Sequence, residues 1–149
     1  CAVRGTSKIQ HILAQKKGLE FSLYVDPNLP QEICSDERRI RQIIINLVGN
    51  AIKFTKTGSV RLNVMCPDQS TWGIEVRDTG IGIPKEAQTS IFEPFQQIQS
   101  EITHDNRGIG LGLSITKQLV DLMNGRIVLE SEPGTGSTFT ILLPIKTVG

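Results

Sequence analysis

Two asparagines and a lysine recur at i, i+4 and i+7: Asn46, Asn50 and Lys53. On a wheel of about 100° per residue they fall within about 60° of one another, with Arg39 and Gln42 beside them. Ile40, Ile43, Ile44, Leu47, Val48 and Ala51 fill an opposing arc of roughly 140°, a core-facing stripe. A helix face turned to plain solvent usually carries Glu and Lys. Amide oxygens can ligate a hard cation such as Mg²⁺, and a lysine can meet a phosphate. A polar face with no ligand is the competing reading, and the helix alone leaves the two in balance.

Three glycine-rich stretches are the second source of chemistry: Asp78-Thr79-Gly80-Ile81-Gly82-Ile83, Gly108-Ile109-Gly110-Leu111-Gly112-Leu113 and Gly134-Thr135-Gly136-Ser137-Thr138. None is a Walker A loop, because Gly-Lys-Ser/Thr is absent from the chain. None fits Gly-x-Gly-x-x-Gly after a strand, which removes the Rossmann reading. The second stretch opens a helix, where glycines admit close backbone approach and the unpaired N–H groups suit a polyphosphate. Glycine as simple turn-former is the alternative for any one stretch; three together are harder to explain that way. Asp78 closes a strand just before Gly80. It is either ordinary turn chemistry or a carboxylate placed to accept an exocyclic adenine amine.

These residues need elements to position them. The spacing predicts a helix over Asp36–Phe54, capped by Ser35 or Asp36 and ended at Thr57-Gly58. An earlier helix runs over Thr6–Lys17 with Gly18 as its stop. Leu19–Val25 alternates as a half-buried strand, and Val60–Cys66 and Trp72–Asp78 alternate as a hairpin about Pro67–Ser70. A short helix can follow Pro84. Ile83–Arg107 otherwise holds about 25 residues of little regularity, the mark of a functional loop. Leu111–Met123 reads as a helix with Leu111, Ile115, Leu119 and Leu122 on one stripe. Ile127–Glu130 and Ser137–Leu143 read as closing strands. Hairpin-joined strands with helices sharing one face imply α+β, a two-layer α/β sandwich. Its mixed, mainly antiparallel sheet has about five strands, with about three helices on one face.

Composition sets bounds on this. The chain has 149 residues, 38% of them hydrophobic, which suits one domain with a real core. Sixteen basic against fifteen acidic residues give a net charge of +1, so nothing advertises nucleic acid or an anionic membrane. There is no apolar run of about 18 residues and no signal peptide. Cys1, Cys34 and Cys66 match no metal spacing and read as reduced thiols in a cytoplasmic setting.

In combination the segments resemble the ATP-binding catalytic domain of sensor histidine kinases, in the superfamily shared with type II topoisomerase B subunits and HSP90 (the GHKL, or Bergerat, fold). Asn46–Phe54 resembles the N box, Asp78–Gly82 the first G box, Ile91-Phe92-Glu93-Pro94-Phe95 the F box, and Gly108–Leu113 and Gly134–Thr138 the later G boxes. The match runs from about Lys17 to Pro144, in the family's order. The resemblance implies ATP and Mg²⁺ as cofactors. Asn50 would ligate Mg²⁺, with Asn46 beside it and Lys53 near the phosphates, and Asn46 and Lys53 would be the catalytic pair. Asp78 would bind the adenine amine, with Gly80, Gly82, Ile83 and Phe95 around the ring and Thr138 supporting the aspartate. Arg107, Gly108, Ile109, Gly110, Leu111, Gly112 and Leu113 would wrap the phosphates, and residues 86–107 would form a lid. Two positions depart from the pattern. Gln96-Gln97 stands where an arginine is common after the F box, with Arg107 the candidate substitute, and Ile109 stands where threonine is common.

Hydrolytic relatives place a glutamate base where this chain has Asn46, and an amide cannot take a proton. The resemblance therefore implies phosphoryl transfer to a histidine rather than to water. His11 and His104 lack the acceptor context, so the acceptor is expected on a separate upstream dimerisation domain. Residues 1–17 would be the end of that domain or a connector, and residues 18–149 the catalytic domain. Expected partners are that histidine-phosphotransfer domain and a response-regulator receiver domain, with no nucleic acid and no direct membrane contact by this domain. A cytoplasmic location is expected, even in a membrane-anchored full-length protein. A gyrase- or HSP90-type ATPase and a degenerate interaction module are the competing readings.

Overall fold

Alternation along three central segments lays down the sheet. Val60, Leu62 and Val64 of β2 (Ser59–Met65) are buried, and so are Trp72, Ile74, Val76 and Asp78 of β3 (Thr71–Asp78). Phe139, Ile141 and Leu143 do the same in β5 (Gly136–Pro144). A computed structural model describes residues 11–27, 37–88, 91 and 109–145, without the side chains of 37 and 109–112. Residues 11–16 are helical (α1). They are followed by β1 (Glu20–Val25), α2 (Glu37–Phe54), β2, β3, a 3₁₀ turn at Lys85–Ala87, α3 (Ile109–Leu122), β4 (Arg126–Glu132) and β5.

The described strands form one sheet in the order β1-β2-β3-β5-β4. β1 runs parallel to β2, which requires the crossover that α2 occupies. The other three pairings are antiparallel, and Leu62 meets Val76 while Ile74 meets Ile141. α2 lies over β2 and β3 and against α3, and α3 reaches β4. Both helices cover the same sheet face, so the architecture is the two-layer α+β sandwich that the hairpin pattern implies. Ile43, Ile44, Leu47 and Val48 carry α2 into the core, as its stripe predicts.

One sequence expectation shifts. The expected stripe of α3 holds only in part: Leu119 packs against the core, but Ile115 is 39% and Leu122 63% exposed, and Leu113, Thr116 and Val120 are the buried residues; the Leu111 side chain lies outside the described ones. The buried side is partly polar because Thr116 meets Asn46 of α2 at 3.2 Å, a contact that apolar periodicity cannot register. The described end of α1 is also tied to the sandwich. Ala14 is fully buried, and Lys17 Nζ donates to the carbonyls of Ile52 and Lys53 at 2.6 Å and 2.9 Å. Those carbonyls are among the last of α2 and have no partner inside the helix, so the ammonium acts as a C-terminal cap. Gly18 has φ +79°, the left-handed stop assigned to it.

The expected caps at Ser35 and Asp36 lie outside the described residues, as does most of the 86–107 lid. Among the described residues no helix is long and apolar enough to cross a membrane.

Candidate functional site

Asp78 ends the inward row of β3, so the parity that buries Trp72, Ile74 and Val76 also buries a carboxylate at 7% exposure. Its Oδ1 accepts two backbone N–H groups, from Gly80 at 2.9 Å and from Ser137 at 3.3 Å. No described residue donates to Oδ2. Burial pushes the carboxyl above its ordinary range, against the lowering effect of the Gly80 and Ser137 donors. The outcome is a buried acceptor with one oxygen fixed by the main chain and the other without a donor among the described residues.

Asp78 lines a cavity with Asn50, Ala51, Phe54, Gly82, Ile83, Leu113, Ser137 and Phe139. The walls are apolar, and the polar groups converge from α2, β3 and β5. The free volume is about 20 Å³, the room of roughly one water, so a purine enters only if Leu113, Phe54 or adjoining segments move apart. Roomier depressions, about 540 Å³ on the outer sheet face and about 530 Å³ beside α1, hold no comparable polar convergence on a buried carboxylate.

The structure brings Asn50, Asp78, Gly82, Ile83 and Leu113 together around this cavity. Among the described residues Asn50 Nδ2 is buried with no hydrogen-bond partner, which leaves that N–H group unmatched at the cavity wall. Asn46 sits one turn back. Its Nδ2 donates to Thr116 Oγ1 and its Oδ1 accepts from Gln42 at 2.9 Å, so it braces α2 against α3. Lys53 is exposed at the end of α2 and does not line the cavity.

Gly80 serves through its N–H to Asp78. Gly82 has φ +73°, and a Cβ there would overlap the Glu132 carbonyl, so the requirement for glycine is a backbone one. Ile109, Gly110, Leu111 and Gly112 form the first turn of α3. Phe95, Arg107 and Gly108 lie outside the described residues.

Thr138 is a correction. It pairs with Arg77 across the β3–β5 ladder and shares Arg77's outward face of the sheet, away from Asp78. Ser137 is the residue opposite Asp78 and lines the cavity with it. The signal was present in the strand itself: Phe139, Ile141 and Leu143 define the inward parity, and Ser137 shares it while Thr138 does not. Ser131 and Gln88, which tie Ile83 to β4, were also missed, because a lone Ser and Gln carry no local pattern.

Mg²⁺ can be tested against the donor set. Among the described residues no three His, Cys, Asp or Glu side chains cluster as a metal cage. One amide at a cavity edge beside a helix N-terminus instead suits an ion held mainly by phosphate oxygens and water. The residues therefore fit such an ion.

The profile for "histidine kinase-, DNA gyrase B-, and HSP90-like ATPase" matches residues 35–147. Sensor histidine kinase RcsC of Salmonella typhimurium is 41% identical over 133 residues, covering 89% of this chain and 14% of that protein. Autoinducer 2 sensor kinase/phosphatase LuxQ of Vibrio harveyi is 40% identical over 151 residues, covering 97% of this chain and 17% of that protein. The chain thus spans only a small fraction of the curated relatives it matches. Full-length ShkA in complex with AMPPNP superposes with a TM-score of 0.86 at 35% identity, covering 99% of this chain and 30% of ShkA. The catalytic domain of histidine kinase ThkA gives 0.79 at 28% identity, over 96% of this chain and 91% of that domain. A fold shared with a histidine kinase catalytic domain almost end to end, and a profile match that includes α2, Asp78 and the last glycine stretch, place this chain in the histidine kinase-, DNA gyrase B- and HSP90-like ATPase family.

Proposed function

We propose that this chain is the ATP-binding catalytic domain of a sensor histidine kinase. It binds Mg-ATP and passes the γ-phosphoryl group to a histidine on a separate upstream dimerisation domain. The observation that carries the reading is Asp78, a buried carboxylate whose Oδ1 is held by two backbone donors and which lines a cavity together with Asn50. An adenine amine is a donor of the size and polarity that such an acceptor selects. Asn50 would contribute its amide oxygen to Mg²⁺, which supplies charge neutralisation on the phosphates. Gly108 and the first turn of α3, residues 109–112, would offer backbone N–H groups to the same phosphates, with Lys53 and Arg107 as cationic partners and Phe95 closing over the base.

The transfer breaks the bond between the γ-phosphorus and the bridging oxygen of ADP and forms a nitrogen–phosphorus bond. The imidazole attacks with a lone pair, so it needs positioning more than a base. Asn46 supports this reading, since its amide cannot activate water and is engaged in bracing α2 against α3. Residues 1–17 would form the connector to the dimerisation domain, residues 18–149 the catalytic domain, and residues 86–107 its lid. A receiver domain would then take the phosphoryl group. The cytoplasmic side is the expected location.

Calorimetric titration of Mg-ATP into this chain tests the reading. A saturable heat is expected, without steady ATP turnover. No heat at millimolar nucleotide would exclude nucleotide binding, and sustained turnover would reassign the chain to the hydrolytic branch.

A further inference from the structure

Ser131 lies on β4 directly opposite Ser137 and does not line the cavity. Its hydroxyl nonetheless touches three pieces of the cavity's base end. Oγ accepts the Ile83 N–H at 2.8 Å, donates to the Gly136 carbonyl at 2.9 Å, and lies 2.8 Å from Ser137 Oγ. Gln88 closes the same knot, its Nε2 donating to the Ile83 carbonyl at 2.9 Å and to the Ser131 carbonyl at 3.2 Å.

A hydroxyl has one hydrogen and two lone pairs. With the Ser131 hydrogen on Gly136 O and one lone pair on Ile83 N–H, the remaining lone pair can only receive the Ser137 O–H. The Ser137 hydrogen is thereby drawn away from the cavity, and its oxygen faces the ligand as an acceptor. Ser137 then presents the same polarity as Asp78 Oδ2.

We propose that Ser131, seated by Gln88, is a positioning residue for nucleobase selection: it fixes the direction of the Ser137 hydroxyl so that the cavity favours a purine amine over a purine carbonyl. The proposal rests on the reading of Asp78 as the adenine acceptor. Removing the Ser131 hydroxyl frees Ser137 to turn its hydrogen toward the cavity, where it can donate to a carbonyl at the purine 6-position. Tolerance of the wrong base should therefore rise, rather than affinity falling for every ligand alike.

The test compares calorimetric affinities of Mg-ATP and of Mg-inosine triphosphate, in which a carbonyl replaces the amine. Parent, Ser131→Ala, Ser131→Thr and Gln88→Met are measured as this same chain. The parent is expected to prefer ATP, Ser131→Ala to lose about fivefold of that preference, the worth of one net hydrogen bond, and Ser131→Thr to restore it. A loss equal for both nucleotides, or no loss, overturns the proposal. Should Ser131→Ala fail to fold, Gln88→Met decides: a preference reduced by about threefold supports the knot, and an unchanged one overturns it. A parent that binds ATP and the inosine nucleotide equally overturns the assignment of Asp78, whereas a discriminating parent with an equally discriminating Ser131→Ala overturns only the role of Ser131.

Discussion

Asp78 and Ser137 stand opposite one another in the β3–β5 ladder, and the Ser137 backbone N–H donates to Asp78 Oδ1 at 3.3 Å. The carboxylate is thus aimed by the main chain of the neighbouring strand, and its direction does not depend on which side chain occupies position 137. The hydroxyl of Ser137 takes no part in aiming it and meets Ser131 Oγ instead. The neighbouring Thr138 has neither role, because one step along a strand reverses the face.

That difference gives a paired prediction. Ser137→Ala is expected to weaken Mg-ATP binding by about fivefold, the scale of one net hydrogen bond, while Thr138→Ala binds as the parent does. Calorimetry on both variants checks it, and the reverse ranking would place the functional hydroxyl on the outer face.

Asp78→Asn separates recognition from stability. Burial raises the Asp78 carboxyl, so folding favours the protonated form. That contribution is complete below the unfolded value near 3.8, and it is lost as pH rises through the raised folded value. At neutral pH the ionised group is therefore a cost to the ligand-free fold. The asparagine can still accept from Gly80 and Ser137, so its melting temperature at pH 7 should equal or exceed the parent's. Its affinity for Mg-ATP should drop at least about tenfold, since a charged acceptor becomes an amide donor. A variant that melts lower and binds normally would contradict both halves.

The same shift predicts the pH dependence of binding. Protonation removes the negative acceptor that the amine requires, so Mg-ATP affinity should fall as pH drops through the raised value. The fall should begin above the ordinary carboxylate range. Titrations between about pH 5 and 8 measure it, with Asp78→Asn as the control that lacks the step.

Lys17 makes a prediction far from the nucleotide. Lys17→Met keeps most of the stem and removes the ammonium that caps Ile52 and Lys53. The expected cost is about 1 kcal/mol, a melting shift of about 2–5 °C in a chain of this size, without change in the preference for ATP over the inosine nucleotide. Thermal melts of parent and variant at low and high salt check it.

Gly82→Ala should cost about 2 kcal/mol or more, because the new Cβ meets the Glu132 carbonyl at a positive φ. A denaturant titration would show the lowered midpoint, and an unchanged midpoint would mean that β4 yields easily there.

The legible parts of this chain were those with a period. α2 announced its core stripe and its row of Asn46, Asn50 and Lys53, and β2, β3 and β5 announced their inward rows. Asp78 could be picked out because it interrupts an apolar row at a strand end before a glycine. What escaped was chemistry that exists only between elements. Thr116 is buried and meets Asn46 across from it, so a stripe read from Leu and Ile alone catches Leu119 but misses the polar part of the buried side. Ser131 matters because three backbone segments converge on its hydroxyl, and no spacing along the chain encodes that convergence. In the last glycine stretch the family resemblance points to Thr138, whereas strand parity puts Ser137 on the side of Asp78.

The inward row of β3 opens with Trp72 and closes with Asp78. Trp72 is the chain's single tryptophan and is 4% exposed. Six steps of strand separate the two, about 20 Å at the usual rise. Besides its single tyrosine, the exposed Tyr24, this chain therefore carries one tryptophan fluorophore, seated in the core and remote from the base site. Its emission can report the integrity of the sheet while nucleotides are varied at the other end, with no dye or label attached.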